Sequence, residues 1–157
     1  MAKNFIGMNA YNIVKYLHSG FRFVVIILLV LAILQSLSGW LGRRRYTEGN
    51  RKLNLFAMIS AHTQLLIGLI LYFLSPFVQF NSSTMKTPLT RFWTMEHITM
   101  MIIALVLITI GHSRSKKLNA PEAKHKSIAI FYIIAMILII LAIVLSPDHR
   151  PFFGITA

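Results

Sequence analysis

Four stretches of about 20 apolar residues recur along the chain, each close to the length needed to cross the roughly 30 Å of hydrocarbon in a bilayer. The first spans residues 17–40, and its centre, 23–34, carries no polar side chain. The second spans 53–74 and stops at Ser75-Pro76, where proline lacks the N–H that would continue a helix. The third spans 92–111, and the fourth, 127–145, ends at Ser146-Pro147. In lipid a spanning segment must satisfy its own backbone polar groups, which makes each stretch a helix. The connections are short, so sequential spans are expected to pack as neighbours in an all-α integral membrane fold. That fold is an antiparallel four-helix transmembrane bundle, one domain covering residues 1–157.

The segments between the apolar runs set the orientation. Residues 1–16 mix polar and apolar side chains and read as an interfacial helix running straight into the first span, with Tyr11 and Tyr16 at headgroup level. Of the 16 Lys and Arg residues, five lie in the loop 42–52 and five in the loop 112–126. The opposite face carries Lys86 and Arg91 in its loop, Lys3 and Lys15 before the first span, and Arg150 in the tail. By the positive-inside rule both basic loops are cytoplasmic and both termini outside. A formal charge of +12 would otherwise suggest nucleic acid, but no soluble basic domain exists to bind it, and loops of this kind suit anionic lipid. The lipid bilayer is therefore the expected partner, and nucleic acid is excluded. The absence of cysteine rules out disulfides, thiol chemistry, cysteine-ligated iron–sulfur clusters and covalent haem attachment. The first apolar run has no small-residue cleavage site after it and reads as a retained span.

Chemistry enters where ionisable residues interrupt the spans. Glu96 and His97 sit side by side near the start of the third span, and His18 and Arg22, four apart on one helix face, open the first. His62, within Ala61-His-Thr-Gln64, lies inside the second. Charged groups within a membrane cost a few kcal/mol and face protein or a cofactor rather than lipid. At 1.5 Å per residue, Arg22 and Glu96 lie about one turn inside the outer boundary, within about 2 Å of each other in depth. They form either a structural ion pair between spans one and three, or a site where Arg22 holds a cofactor carboxylate and Glu96 orients His97.

A b-type haem takes axial imidazoles from two helices at matched depth. The candidate haem-iron ligands are His97 with His18, about 6–7 Å apart in depth, or His97 with His62, about 10 Å apart. His112 and His125 flank the second basic loop and read either as solvated loop-edge residues beside headgroups or as ligands of a second haem. His149 in the tail is assigned no role. Adjacent residues on a helix project about 100° apart, so Glu96 and His97 cannot both aim at one metal. The Glu-x-x-His and H-E-x-x-H spacings are absent. Met58, Met95, Met100 and Met101 read as packing residues, and Gly20 and Gly68 as points of close helix approach.

Taken in order, Leu17-His-Ser-Gly-Phe-Arg22, Gln64-Leu-Leu-Ile-Gly-Leu-Ile-Leu-Tyr72, Glu96-His97, Ile108-Thr-Ile-Gly111 and Lys124-His-Lys126 resemble a group of short four-span bacterial membrane proteins labelled cytochrome B, or cytochrome b-like. The resemblance covers nearly the whole chain. It implies electron transfer through haem b in the bacterial cytoplasmic (inner) membrane, with His97 and either His18 or His62 as ligands. Three functions follow as expectations. The chain is a haem-b electron carrier or membrane anchor, a haem-free accessory subunit of a larger membrane complex, or a small proton-handling transporter using Glu96, His97 and His62. No catalytic motif marks it as an enzyme by itself. Other membrane subunits or a second copy of the chain are the expected protein partners.

Overall fold

A computed structural model describes the backbone of residues 2–148 and the side chains of residues 9–148. The side chain of Lys3 and the tail residues His149 and Arg150 lie outside the described residues. The elements are α1 (Ala2–Leu41), α2 (Glu48–Leu74), a short α3 (Pro88–Arg91), a π-turn (Phe92–Glu96), α4 (His97–Lys117) and α5 (Pro121–Val144). Among the described residues four helical stretches are long and apolar enough to cross a membrane, namely Asn9–Leu41, Glu48–Leu74, Pro88–Lys117 and Pro121–Val144. The regular structure of the described residues is thus all helical, with the composition of a multi-pass membrane protein.

Local chemistry sets the helix ends. The polar N-terminal segment contains no proline and continues into the first span as one helix of 40 residues. The loop after α1 turns at Arg43, whose φ of 47° is left-handed. A capping box opens α2: the Asn50 N–H donates to Thr47 Oγ1 at 3.2 Å, while the Thr47 N–H donates to Asn50 Oδ1 at 2.8 Å. These bonds satisfy donors that the first turn leaves without intrahelical partners. Pro121 opens α5 within its first turn, where its missing N–H costs nothing.

Helix α1 packs on α2 and α5, α4 packs on α5 and α2, and α1 and α4 barely meet. Alanines at 32, 57, 104 and 135 are buried together with Leu29, Ile108 and Ile128. Small side chains let helices approach closely where hydrophobic driving force between them is weak. Large apolar side chains point outward instead, among them Ile27, Leu34, Phe73 and Ile137. On a soluble protein such a surface would be a liability; here it is what lipid contacts.

At the end bearing the basic loops, a polar cluster ties α1, α2 and α5. Gln35 Nε2 donates to Asn54 Oδ1 at 2.8 Å, Asn50 Nδ2 donates to Gln35 Oε1 at 2.8 Å, and Asn54 Nδ2 donates to the Tyr46 hydroxyl at 3.0 Å. The fully buried Tyr132 hydroxyl donates to the Asn54 carbonyl at 2.8 Å. At the other end Gln64 Nε2 donates to the His18 carbonyl at 2.8 Å. The late part of α1 therefore lies against the early part of α2, and the early part against the late.

One close approach joins α1 to α5. The His125 ring fills the space beside Gly39, where an added Cβ would run into the ring's Cε1, Nε2 and Cδ2 atoms. Overpacking of this kind costs about 1–3 kcal/mol. Gly39→Ala should therefore lower the melting temperature of the detergent-solubilised protein, and His125→Ala in the same chain should relieve most of that added cost. Strictly additive losses in the double-mutant cycle would contradict the contact.

Candidate functional site

The site is built where the third span begins. Residues Phe92–Glu96 form a π-turn, in which the His97 N–H donates to the Phe92 carbonyl five residues back. Such a turn inserts an extra residue into the helix and occurs often at functional sites. It also changes which side chains share a face. In an α-helix residues 91 and 96 point well apart, but the wider turn brings them together, and Arg91 Nε meets Glu96 Oε1 at 2.6 Å. The cross-bundle pair expected between Arg22 and Glu96 is not formed: Glu96 takes its cation from its own span. The partners are each 42% exposed, so their bond contributes under about 1 kcal/mol.

Thr94, buried at 1% exposure, anchors the turn. Its Oγ1 accepts the Gln79 N–H at 3.1 Å, and its carbonyl accepts the Tyr72 hydroxyl at 2.7 Å. The start of α4 is thereby held to the end of α2 and to the loop that follows it. The Trp93 ring lies beside the His97 imidazole, with centroids 5.1 Å apart and planes tilted by 55°.

The bundle encloses a cavity of about 170 Å³ at this end. Its polar lining includes His18 and Arg22 from α1, Gln64 from α2, and Trp93 and His97 from the π-turn and α4. Three sequence candidates, His18, Arg22 and His97, thus share one space between two helices that barely meet. His62 is not among them. It is exposed, its Nδ1 donating to the Met58 carbonyl at 2.9 Å on its own helix. Two residues of helix separate it from Gln64, a rotation of about 200° that turns it away from the cavity.

Gly68 has a specific role. A Cβ there would fall 3.0 Å from His18 Cε1 and 3.4 Å from its Nδ1, so the glycine forms a notch for the imidazole. Gly20 has nothing within 4 Å of an added Cβ and makes no such approach. Met101 lines the cavity, Met58 packs on the core and Met95 is exposed.

His112 and His125 correct the reading of solvated loop-edge residues: they are 4% and 1% exposed. His125 donates from Nε2 to the Arg45 carbonyl at 3.4 Å and packs edge-on against Tyr46 at 4.9 Å. The Nδ1 atoms of both rings are buried without a hydrogen-bond partner. Neither lines the cavity, and among the described residues no three His, Asp or Glu side chains converge as a metal would require. The signal for the burial of His125 lay in a small residue on the facing helix, Gly39, which clears the space for its ring. Gln64 and Trp93 also reach the site without having been singled out as site residues, although Gln64 belonged to an unusually polar group within an apolar span. Searches against protein-family models, curated proteins and solved structures found no match to this chain.

The hydrogen-bond inventory ranks two substitutions. Thr94→Val leaves the Gln79 N–H without its acceptor and should cost about 1–3 kcal/mol, whereas Glu96→Gln should cost under about 1 kcal/mol. Thermal unfolding in detergent measures both, and the reverse order would contradict the assignment of Thr94 as the anchor of the π-turn.

Proposed function

We propose that the chain is a cytochrome b-like haem protein of the bacterial cytoplasmic membrane, acting as an electron carrier or a haem-bearing membrane anchor. In this reading the bundle is antiparallel, the basic loops face the cytoplasm and both termini lie outside. The observation that carries the reading is the sharing of one cavity by His18 of α1 and His97 of α4, two helices that barely touch and so leave room between them.

The donor set fits the group. The imidazoles of His18 and His97, one from each helix, would hold a b-type haem, and Arg22 would hold a propionate. When bound, haem supplies one-electron chemistry. The chain's own residues then hold and orient. Gly68 receives the Cε1–Nδ1 edge of the His18 ring, Gln64 fixes the backbone at His18, and Trp93 limits rotation of His97. A metal-bound imidazole needs such support to keep its ring orientation. His62 has no part in the site.

A second reading is favoured by the volume. A cavity of about 170 Å³ is smaller than the roughly 300–1,000 Å³ of ordinary ligand pockets, so a macrocycle would enter only by parting α1 and α4. The haem-free alternative is an accessory subunit whose apolar exterior meets other membrane subunits or a second copy. Proton handling has less support: below the cavity the core is Leu29, Ala32, Ala57, Ile128 and Ala135, where the one titratable side chain of the cluster is Tyr132, its hydroxyl already donated to the Asn54 carbonyl.

Expression with ample haem, followed by a reduced-minus-oxidised visible spectrum of the purified protein, tests the reading. Sharp b-type bands at near-stoichiometric haem are expected. His18→Ala and His97→Ala should each abolish them, and His62→Ala should leave them intact. A folded but colourless wild-type protein would sink the haem assignment and leave the accessory-subunit reading.

A further inference from the structure

The lining of this cavity is one-sided in charge. Its ionisable groups are Lys15, His18, Arg22, His97 and two tyrosines, and among the described residues no aspartate or glutamate lines it. Lys15 is the most telling. It is 9% exposed, and its contacts are with rings: the ammonium sits 5.5 Å from the Tyr11 centroid and 5.3 Å from that of Tyr16. Cation–π contact of this kind contributes about 0.5–2 kcal/mol, less than the several kcal/mol that burying an ion costs. A buried ammonium with no carboxylate beside it among the described residues calls for an anion. About one turn deeper, Gln64 donates its amide to the His18 carbonyl while its Oε1 is buried with no donor. The cavity thus presents a cation and an unmatched acceptor at one end. Beyond them Val25, Ile26, Ala104 and Ile108 form an apolar wall reaching roughly 15 Å from the level of Lys15.

We infer that the cavity binds an anionic amphiphile, its acid group at Lys15, a hydroxyl or N–H donor at Gln64 Oε1, and its apolar body against the wall between α1 and α4. The inference shares its site with the haem reading and deepens it, but requires no iron. Haem b with its propionates belongs to this class, and so does an acidic phospholipid such as phosphatidylglycerol, which brings a phosphate and glycerol hydroxyls from the membrane itself; with a cavity of about 170 Å³, either would seat its acid end there and part α1 and α4 for its apolar body. Neutral or zwitterionic lipids lack the net charge that Lys15 requires.

The full-length protein, purified once with haem and once without, is equilibrated in mixed micelles of phosphatidylglycerol or phosphatidylcholine. Retained lipid is counted by native mass spectrometry, and haem by its spectrum. A charge-assisted contact is worth about 1.5–3 kcal/mol, so retention of the preferred anionic occupant, lipid or haem, should fall about tenfold or more in Lys15→Gln. Lys15→Arg should restore it, and the exposed-loop change Lys86→Gln should have no effect. Thermal unfolding confirms that each variant is folded. Phosphatidylglycerol held by a colourless protein, and lost in Lys15→Gln, would support this inference while the haem reading fails. Haem held by wild type and lost in Lys15→Gln would support both. If wild type retains neither haem nor phosphatidylglycerol over phosphatidylcholine, or Lys15→Gln retains either as wild type does, the inference is overturned.

Discussion

A polar atom buried among hydrocarbon has no water to turn to, and that single constraint orders this bundle. Many buried polar groups find partners within the protein, while Ser36 Oγ, Gln64 Oε1 and the Nδ1 atoms of His112 and His125 do not, and the hydrogen-bonded clusters lie near the two ends of the spans. Gln35, Asn50, Asn54 and Tyr132 close on one another at the basic-loop end. Gln64, Tyr72 and Thr94 tie backbone and side chains at the other. Between them the core is Leu29, Ala32, Ala57 and Ala135, side chains that need no partner. The alanines also let the helices come close enough for the polar clusters to meet.

Much of this was legible in the sequence. Four apolar runs of spanning length gave the helices, because the bilayer sets the length and the backbone leaves no alternative to a helix. The proline stops after the second and fourth runs carried recognisable chemistry. What could not be read was rotation. Glu96 and His97 were read at the start of the third span, but the π-turn that ends at Glu96 has no compositional signature, and it swings Glu96 to Arg91 rather than Arg22. His62 looked equivalent to His97 by depth and type, yet it is exposed on the far side of α2. His112 and His125 looked solvated because their sequence neighbours are lysine and arginine. Burial is decided by the facing helix, where Gly39 clears a space for the His125 ring.

The cavity inherits its character from the same logic. Helices α1 and α4 barely meet, so side chains on their inner faces look across a gap rather than into a packed seam. Both histidines of the proposed site, the arginine and the buried lysine face that gap together. Lys15, whose ammonium lies against the Tyr11 and Tyr16 rings, is buried at a cost that an anionic occupant would offset, which links the haem reading to the broader class of anionic amphiphiles.

The partition into polar ends and an apolar middle is the claim on which the rest stands, and a chain without cysteine offers a clean test of it. Single cysteines introduced at Leu29, Ala57 and Ala135, each 0% exposed, would be treated with a water-soluble maleimide in intact membranes, with Ser82→Cys in the exposed loop as reference. The account predicts rapid labelling at position 82 and none at the three core positions until the protein is denatured. Labelling of the core positions at a rate comparable to the loop would mean that water threads the middle of the bundle, and the partition would be wrong.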